Sequence, residues 1–314
     1  YIGSLPDPFV SPIWPATGFQ IAMYFRFGPR ALWAMSPGLL LLQFQLGHQG
    51  GMGTGPALIF ALASWTAMLS EALIAKWITK PDRKGGMDQT AYLRFTSLGA
   101  PLGTLSSALQ GVPVLLYFQA YPANIETYVP LLVWWSGNLI GAYVMVPLLT
   151  LSQADLQHLR GSALRLAAAL SLAAVIVLGI SFVDEQQGQH ILALALVLLI
   201  FLIIQRQNYA VMVVTTSSTA LFYIAVNVNR YVVDNAGPNL VDLFTLEAML
   251  ALSLSLSMIV FHLVKAKTEL AEQVRQDNLR LKTLVDEQTR DLAEQVRQKA
   301  ATESELLRTN ELLS

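Results

Sequence analysis

No cysteine occurs in the 314 residues, which removes disulfides, zinc thiolate sites and iron–sulfur clusters from consideration. Charge is nearly as scarce: Asp, Glu, Lys and Arg make up 13% of the chain against 54% hydrophobic residues, and the formal net charge is -1. A balance of that kind provides no basic field for nucleic acid, so that class of partner is set aside. The glycine run Gly50 to Gly55 lacks the lysine and the Ser or Thr that complete a phosphate loop. His48, His158, His190 and His262 are scattered, and no haem or metal pair is evident. No nucleophile motif and no acid–base pair falls on one face, so no catalytic residue, metal or cofactor is expected.

What the chain does have is long apolar runs, with a mean hydropathy of +0.49. A hydrocarbon core about 30 Å thick takes roughly 20 apolar residues per helix. Stretches of that kind lie near 12–27, 30–47, 55–79, 97–119, 126–151, 162–183, 190–205, 208–230 and 241–264. The expected fold is therefore all-α, a polytopic transmembrane helix bundle of about nine spans, with the lipid bilayer as its first partner. Arg26, Arg30, Lys80, Arg83, Lys84, Arg160, Arg165, Arg206, Lys265 and Lys267 fall on alternate connections, whereas the opposite set holds Arg230 alone. Positive charge is retained in the cytoplasm. This places the C-terminus inside and Tyr1 outside, and leads to the expectation of one further helix before Tyr1.

Residues 265–314 form a second regime, rich in Glu, Gln, Arg, Lys, Leu and Ala. No Gly or Pro separates them from the last apolar stretch, so one helix is expected to run from about Leu240 through the tail. Seam positions advance by four and three through Leu270, Val274, Asp277, Leu281, Leu284 and Gln288, then step by four to Leu292 and Val296. They resume at Lys299, Glu303, Leu306, Asn310 and Leu313. This is a heptad pattern with a stutter around Gln288 to Val296. Its polar seam residues weaken a coiled coil while fixing its register, which suits a marginal parallel homodimer able to change packing. An inert, solvated single helix is the plainer reading. The expected domains are thus an integral-membrane sensor at 1–264 and a cytoplasmic coiled-coil linker at 265–314.

The run Ser11-Pro-Ile-Trp-Pro-Ala-Thr-Gly18, with Phe27-Gly and Leu32-Trp after it, resembles the opening of the first class of membrane-associated sensor domains (MASE). Ala63-Ser-Trp-Thr-Ala-Met-Leu-Ser-Glu71 resembles that family's third-helix motif with its embedded glutamate. Trp134-Trp-Ser-Gly-Asn138-Leu-Ile-Gly141, with Pro147 following, resembles its tryptophan–glycine–proline helix, although the family often has aspartate where Asn138 stands. The resemblance covers roughly 8–265 and implies a bacterial inner-membrane receptor. The tail Leu284-Val-Asp-Glu-Gln-Thr-Arg290 is similar to linkers that precede PAS, histidine-kinase or diguanylate-cyclase modules, whose catalytic motifs are not within these residues.

Candidate sensing residues follow from polarity inside apolar runs. An ionised carboxylate in a membrane helix is costly unless paired, so Glu71 is either functional or held in a hydrogen-bonded helix contact near Lys76. Asn138, among Ser136, Gly137 and Gly141, fits close helix packing as well as a site. Trp14, Pro15, Trp134 and Trp135 fit either an aromatic cavity or, for Trp14, the interfacial belt. Gly99, Pro101, Gly103, Gly111 and Pro113 are expected to break or kink one helix twice, which would open a mid-membrane pocket or leave a short helix pair without ligand. Glu247 opens the last span, where a change would pass directly down that helix. A small molecule, a lipid or a partner membrane protein are the stimuli considered. A secondary transporter with a broken-helix site is the alternative, disfavoured by the long tail and the lack of a visible inverted repeat; a membrane enzyme ranks third.

Overall fold

The computed structural model describes residues 14–82, 86–120, 126–151, 211, 213–221 and 240–313, with isolated positions between 157 and 174. Among these residues all regular structure is helical. Helix α1 (Pro15–Phe27) opens with proline, whose missing N–H is harmless in a first turn. It ends at Gly28, whose φ of 68° lies in the left-handed region that only glycine enters freely. Pro29 then opens α2 (Pro29–Gln49). Helix α3 (Thr54–Thr79) closes on left-handed Lys80. The carboxylate of Asp88 accepts the Ala91 N–H at 2.7 Å and so caps α4 (Gln89–Arg94). A π-helical turn (Phe95–Gly99) leads from α4 into α5 (Ala100–Tyr117). Helices α6 (Tyr128–Leu149) and α7 (Leu240–Leu313) complete the described elements.

At Gly99–Gly103 and Gly111–Pro113, where a break or kink is expected, the helix is not interrupted. The chain stays helical from Gln89 to Tyr117. Proline inside a helix removes one ladder bond and clashes with the carbonyl four residues back. Ahead of Pro101 the chain widens instead: Ala100 N–H reaches back five residues to the Phe95 carbonyl, and the proline enters in the first turn of α5. Pro113 sits inside α5, and the carbonyl it leaves without a donor belongs to Leu109, a residue on the exposed side of that helix.

Helix α6 is the centre of the first unit, with every residue from Ser136 to Val144 buried. An apolar helix buried on all sides needs neighbours all round it. Helices α1 and α5 pack on it directly, and α3 packs against α1, α2 and α5. The Ser217 hydroxyl donates to the Val144 carbonyl at 3.1 Å, which brings 213–221 onto the same helix. The closest crossing is between α1 and α6. A Cβ built on Gly18 would lie 2.1 Å from the Gly141 carbonyl oxygen, and one on Gly141 would lie 2.2 Å from that of Trp14. Only hydrogen fits at both positions, as small-residue helix contacts in membranes require.

Helices Thr54–Thr79 and Tyr128–Leu149, with mean hydropathies of 1.7 and 1.5, are the two described helices long and apolar enough to cross a membrane. Outward faces carry exposed Trp33, Leu41, Leu58, Leu73, Trp77 and Leu109, an apolar exterior that water would not favour. The stretches expected near 162–183 and 190–205, and most of 208–230, lie outside the described residues.

Contacts divide the chain into two compact units, 1–262 and 263–314. In the second unit the described side chains are almost all exposed, among them the seam residues Leu270, Val274, Leu281, Leu284, Gln288, Leu292, Val296 and Leu306. Leu313 ends the helix. Arg275 grips Glu272 with two bonds, at 3.1 and 3.2 Å, and holds its carboxyl below the usual carboxylate range. That exposed i,i+3 pair supports the helix weakly, and its contribution is lost as pH falls through the lowered range.

Candidate functional site

Four helices carry polar side chains into the interior of the first unit. Helix α1 supplies Thr17 and Gln20, α3 supplies Ser64 and Glu71, α5 supplies Ser107, and α6 supplies Asn138; all six are buried. Spacing explains their meeting. Thr17 and Gln20 are three apart, and Ser64, Met68 and Glu71 recur at helical spacing on one face of α3.

Their hydrogen bonds run in one direction. Thr17 Oγ1 donates to Asn138 Oδ1 at 2.9 Å, and Asn138 Nδ2 donates to Ser107 Oγ at 3.3 Å. Trp134 Nε1 donates to the same Ser107 oxygen at 3.4 Å. A hydroxyl has two acceptor sites and one proton. With both acceptor sites engaged, Ser107 keeps its proton, and the group that proton faces is the Glu71 carboxyl. The approach falls short of full hydrogen-bond geometry, so both Glu71 oxygens are unpartnered, as are Gln20 Oε1 and Ser64 Oγ. The Gln20 amide is anchored by its nitrogen, which donates to the Met68 carbonyl at 2.5 Å, three residues before Glu71 on α3. Lys76 does not serve as the counter-charge: its Nζ lies 4.5 Å from the centre of the Tyr24 ring. Burying such groups without partners is costly, and where they persist they mark places that do something other than pack.

Of the residues singled out from the sequence, Glu71, Trp134 and Asn138 are brought together here. Trp14 and Pro15 instead seat α1 on α6, with Trp14 N–H donating to the Gly137 carbonyl at 3.1 Å. Trp135 Nε1 donates to the Pro101 carbonyl at 3.0 Å and ties α6 to the first turn of α5. Four of the five expected break residues are divided between this turn and close helix contacts, and Pro113 is exposed inside α5. A Cβ on Gly103 would meet the Glu71 carbonyl oxygen at 3.0 Å, one on Gly99 would meet Thr79 Oγ1 at 2.6 Å, and one on Gly111 would meet the Trp134 ring at 2.9 Å. Glu247 lies on α7, and its side chain is outside the described residues. Thr17, Gln20, Ser64 and Ser107 were not singled out; Gln20, an amide in the middle of an apolar run, is the one that carried a visible signal.

Among the described residues no three of His, Cys, Asp and Glu converge as a metal site would require. Glu71 is the one titratable member of the polar cluster. The family model MASE1 matches residues 5–267. The chain belongs to the MASE1 family. It is thus a membrane-associated sensory domain of the kind found in signalling proteins. No curated protein and no solved structure matches it.

The MASE1 match includes the first part of α7, and there the helix is held by side chains from α4 and the π turn. His262 stacks on Tyr92 with ring centres 4.8 Å apart, and the Tyr92 hydroxyl lies 3.2 Å from Thr150 Oγ1. Thr96 Oγ1 donates to Met258 Sδ at 3.7 Å. The π turn adds a further tie. In its register the donor for the Thr96 carbonyl would be residue 101, which is proline; the Tyr143 hydroxyl donates to that carbonyl instead, at 2.6 Å. Tyr143→Phe is therefore expected to destabilise the MASE1 unit by about 1–3 kcal/mol, the usual effect of leaving a buried acceptor unsatisfied. Thermal unfolding in detergent would measure this, and a midpoint equal to wild type would mean that the π turn needs no external donor.

Proposed function

We propose that this MASE1 unit is the receptor end of a bacterial inner-membrane signalling protein. The stimulus acts at the Thr17–Gln20–Glu71–Ser107–Asn138 cluster, and α7 carries its state to a cytoplasmic output domain. That output is a cyclic-di-GMP cyclase or phosphodiesterase, or a histidine kinase. The observation that carries the reading is α7 itself: one helix, Leu240–Leu313, whose first part touches Tyr92 and Thr96 and whose later part exposes an apolar seam. A seam of Leu and Val at heptad spacing suits pairing with a second copy of the chain. The arginine and lysine distribution supports about nine spans with the C-terminus in the cytoplasm. Glu247, on the membrane part of α7, is the position through which an external stimulus would reach that helix most directly.

The test uses an intact receptor in cells, with second-messenger level or autophosphorylation as the readout. Glu71→Gln keeps the shape and removes the charge. It is expected to hold output at one level across conditions that move the wild-type output. A variant that still tracks those conditions would remove the cluster from the signalling path.

A further inference from the structure

We propose that Gln20 and Glu71, with Ser107 steadying the carboxyl, form an interior site for one small monovalent cation, sodium in size and hardness. The inference rests on the reading of this cluster as the sensory site and names the ligand that it takes.

Three observations lead there. The first is the character of the unpartnered atoms: Gln20 Oε1, on an amide bound to the Met68 carbonyl three residues before Glu71, and both Glu71 carboxyl oxygens are acceptors, and all are buried. Oxygen sets of amide and carboxylate are what hard cations bind, whereas an anion or a carbonyl compound would meet only repulsion. The second is the polarity of the chain Thr17→Asn138→Ser107. Each donor points towards the Glu71 end, and Trp134 reinforces the direction at Ser107. The line of dipoles delivers partial positive charge to the carboxyl by way of Ser107, and no donor completes a hydrogen bond to either of its oxygens. The third is charge. Lys76, the nearest basic residue on α3, is occupied over Tyr24, and no other Lys, Arg or His is buried beside Glu71 among the described residues. A buried carboxyl stays ionised only with a positive charge beside it.

Size follows from packing. Helix α5 approaches α3 closely enough at Gly103 that a single Cβ would come within 3.0 Å of the Glu71 carbonyl oxygen, and Ala72, Ala75 and Ala108 around it have no exposed surface. An organic ammonium of several heavy atoms does not fit such a wall without moving a helix. A dehydrated monatomic cation makes the smallest demand on that wall, and helix oxygens hold sodium within the membrane in other folds.

The experiment is thermal unfolding of the purified 314-residue chain in lipid nanodiscs, with sodium chloride titrated against choline chloride at constant ionic strength. A saturable rise in the unfolding midpoint is expected with sodium. Glu71→Gln is expected to abolish the rise. Gln20→Leu, which keeps the carboxyl, is expected to move half-saturation upward by about tenfold, the loss of one charge–dipole contact. The proposal is overturned if sodium has no effect on the wild-type midpoint, or if Gln20→Leu and Glu71→Gln both respond as wild type does. If the midpoint follows pH through Glu71 and ignores sodium, the occupant is a proton and the cation site is withdrawn, while the sensory role of the cluster stands. If sodium binds as expected and Glu71→Gln leaves receptor output in cells responsive, the site is retained and the sensory role is withdrawn.

Discussion

Gly141→Ala is expected to lower the unfolding midpoint of the chain sharply, and Gly141→Leu to prevent folding of the first unit. The added methyl would sit 2.2 Å from the Trp14 carbonyl oxygen, which is backbone and has no rotamer to adopt. Relief requires α1 to move off α6, and that movement breaks the Trp14 N–H bond to Gly137 and the Thr17 bond to Asn138 in the same step. Overpacking commonly costs about 1–3 kcal/mol, and with two buried hydrogen bonds lost the upper end, near 3 kcal/mol, is the expectation for alanine. Gly38→Ala is the control. Nothing lies within 4 Å of a Cβ at Gly38, and alanine gains roughly 0.5–1 kcal/mol of helix propensity there. If the two variants melt alike, α1 does not cross α6 at Gly18 and Gly141. The Thr17–Asn138 link to the polar cluster would then be lost with it.

The second large effect concerns the tail. Two residues inserted after Gln288 rotate everything downstream by about 200°, at 100° per residue. The seam residues Leu292, Val296 and Leu306 are then carried to the opposite face. Seven inserted residues restore the seam to within about 20°. If the tail transmits through a paired seam, the two-residue insertion is expected to reduce the regulated range of output in an intact receptor roughly tenfold, since losing about 1.4 kcal/mol of difference between states does that much. The seven-residue insertion is expected to retain most of it. Equal outputs from the two insertions would show that the tail is a spacer whose phase is irrelevant, and the dimeric reading of Leu270 to Leu313 would fall.

The polar cluster was legible in part. Glu71 announces itself because a carboxylate in a long apolar run is expensive, and Asn138 and Trp134 stand in a small-residue context that points to close packing. Their relation to one another was not legible: Thr17 and Asn138 are 121 residues apart, and no local rule pairs them. How the glycines and prolines of the 97–119 stretch are accommodated was not legible for a similar reason. Local propensity says that Pro101 should end a helix, but it knows nothing of Tyr143, whose hydroxyl takes the place of the missing donor at Thr96. With that partner present the helix can widen by one residue and continue. His262 is likewise an isolated histidine by sequence, and only its stack on Tyr92 gives it a place.

Composition and period by themselves determined that the chain is helical and membrane-associated, since apolar run length is a property of the local sequence. Pro15 and Gly28 likewise set helix ends through their own backbone chemistry, and Asp88 through its carboxylate. Tertiary structure decided which polar groups share an interior, which glycines are contacts and which carbonyls find donors. Those outcomes depend on side chains from different helices reaching the same point. A hydrogen bond or a clash at 2 to 3 Å is settled by where two backbones cross, and sequence spacing carries no information about that crossing.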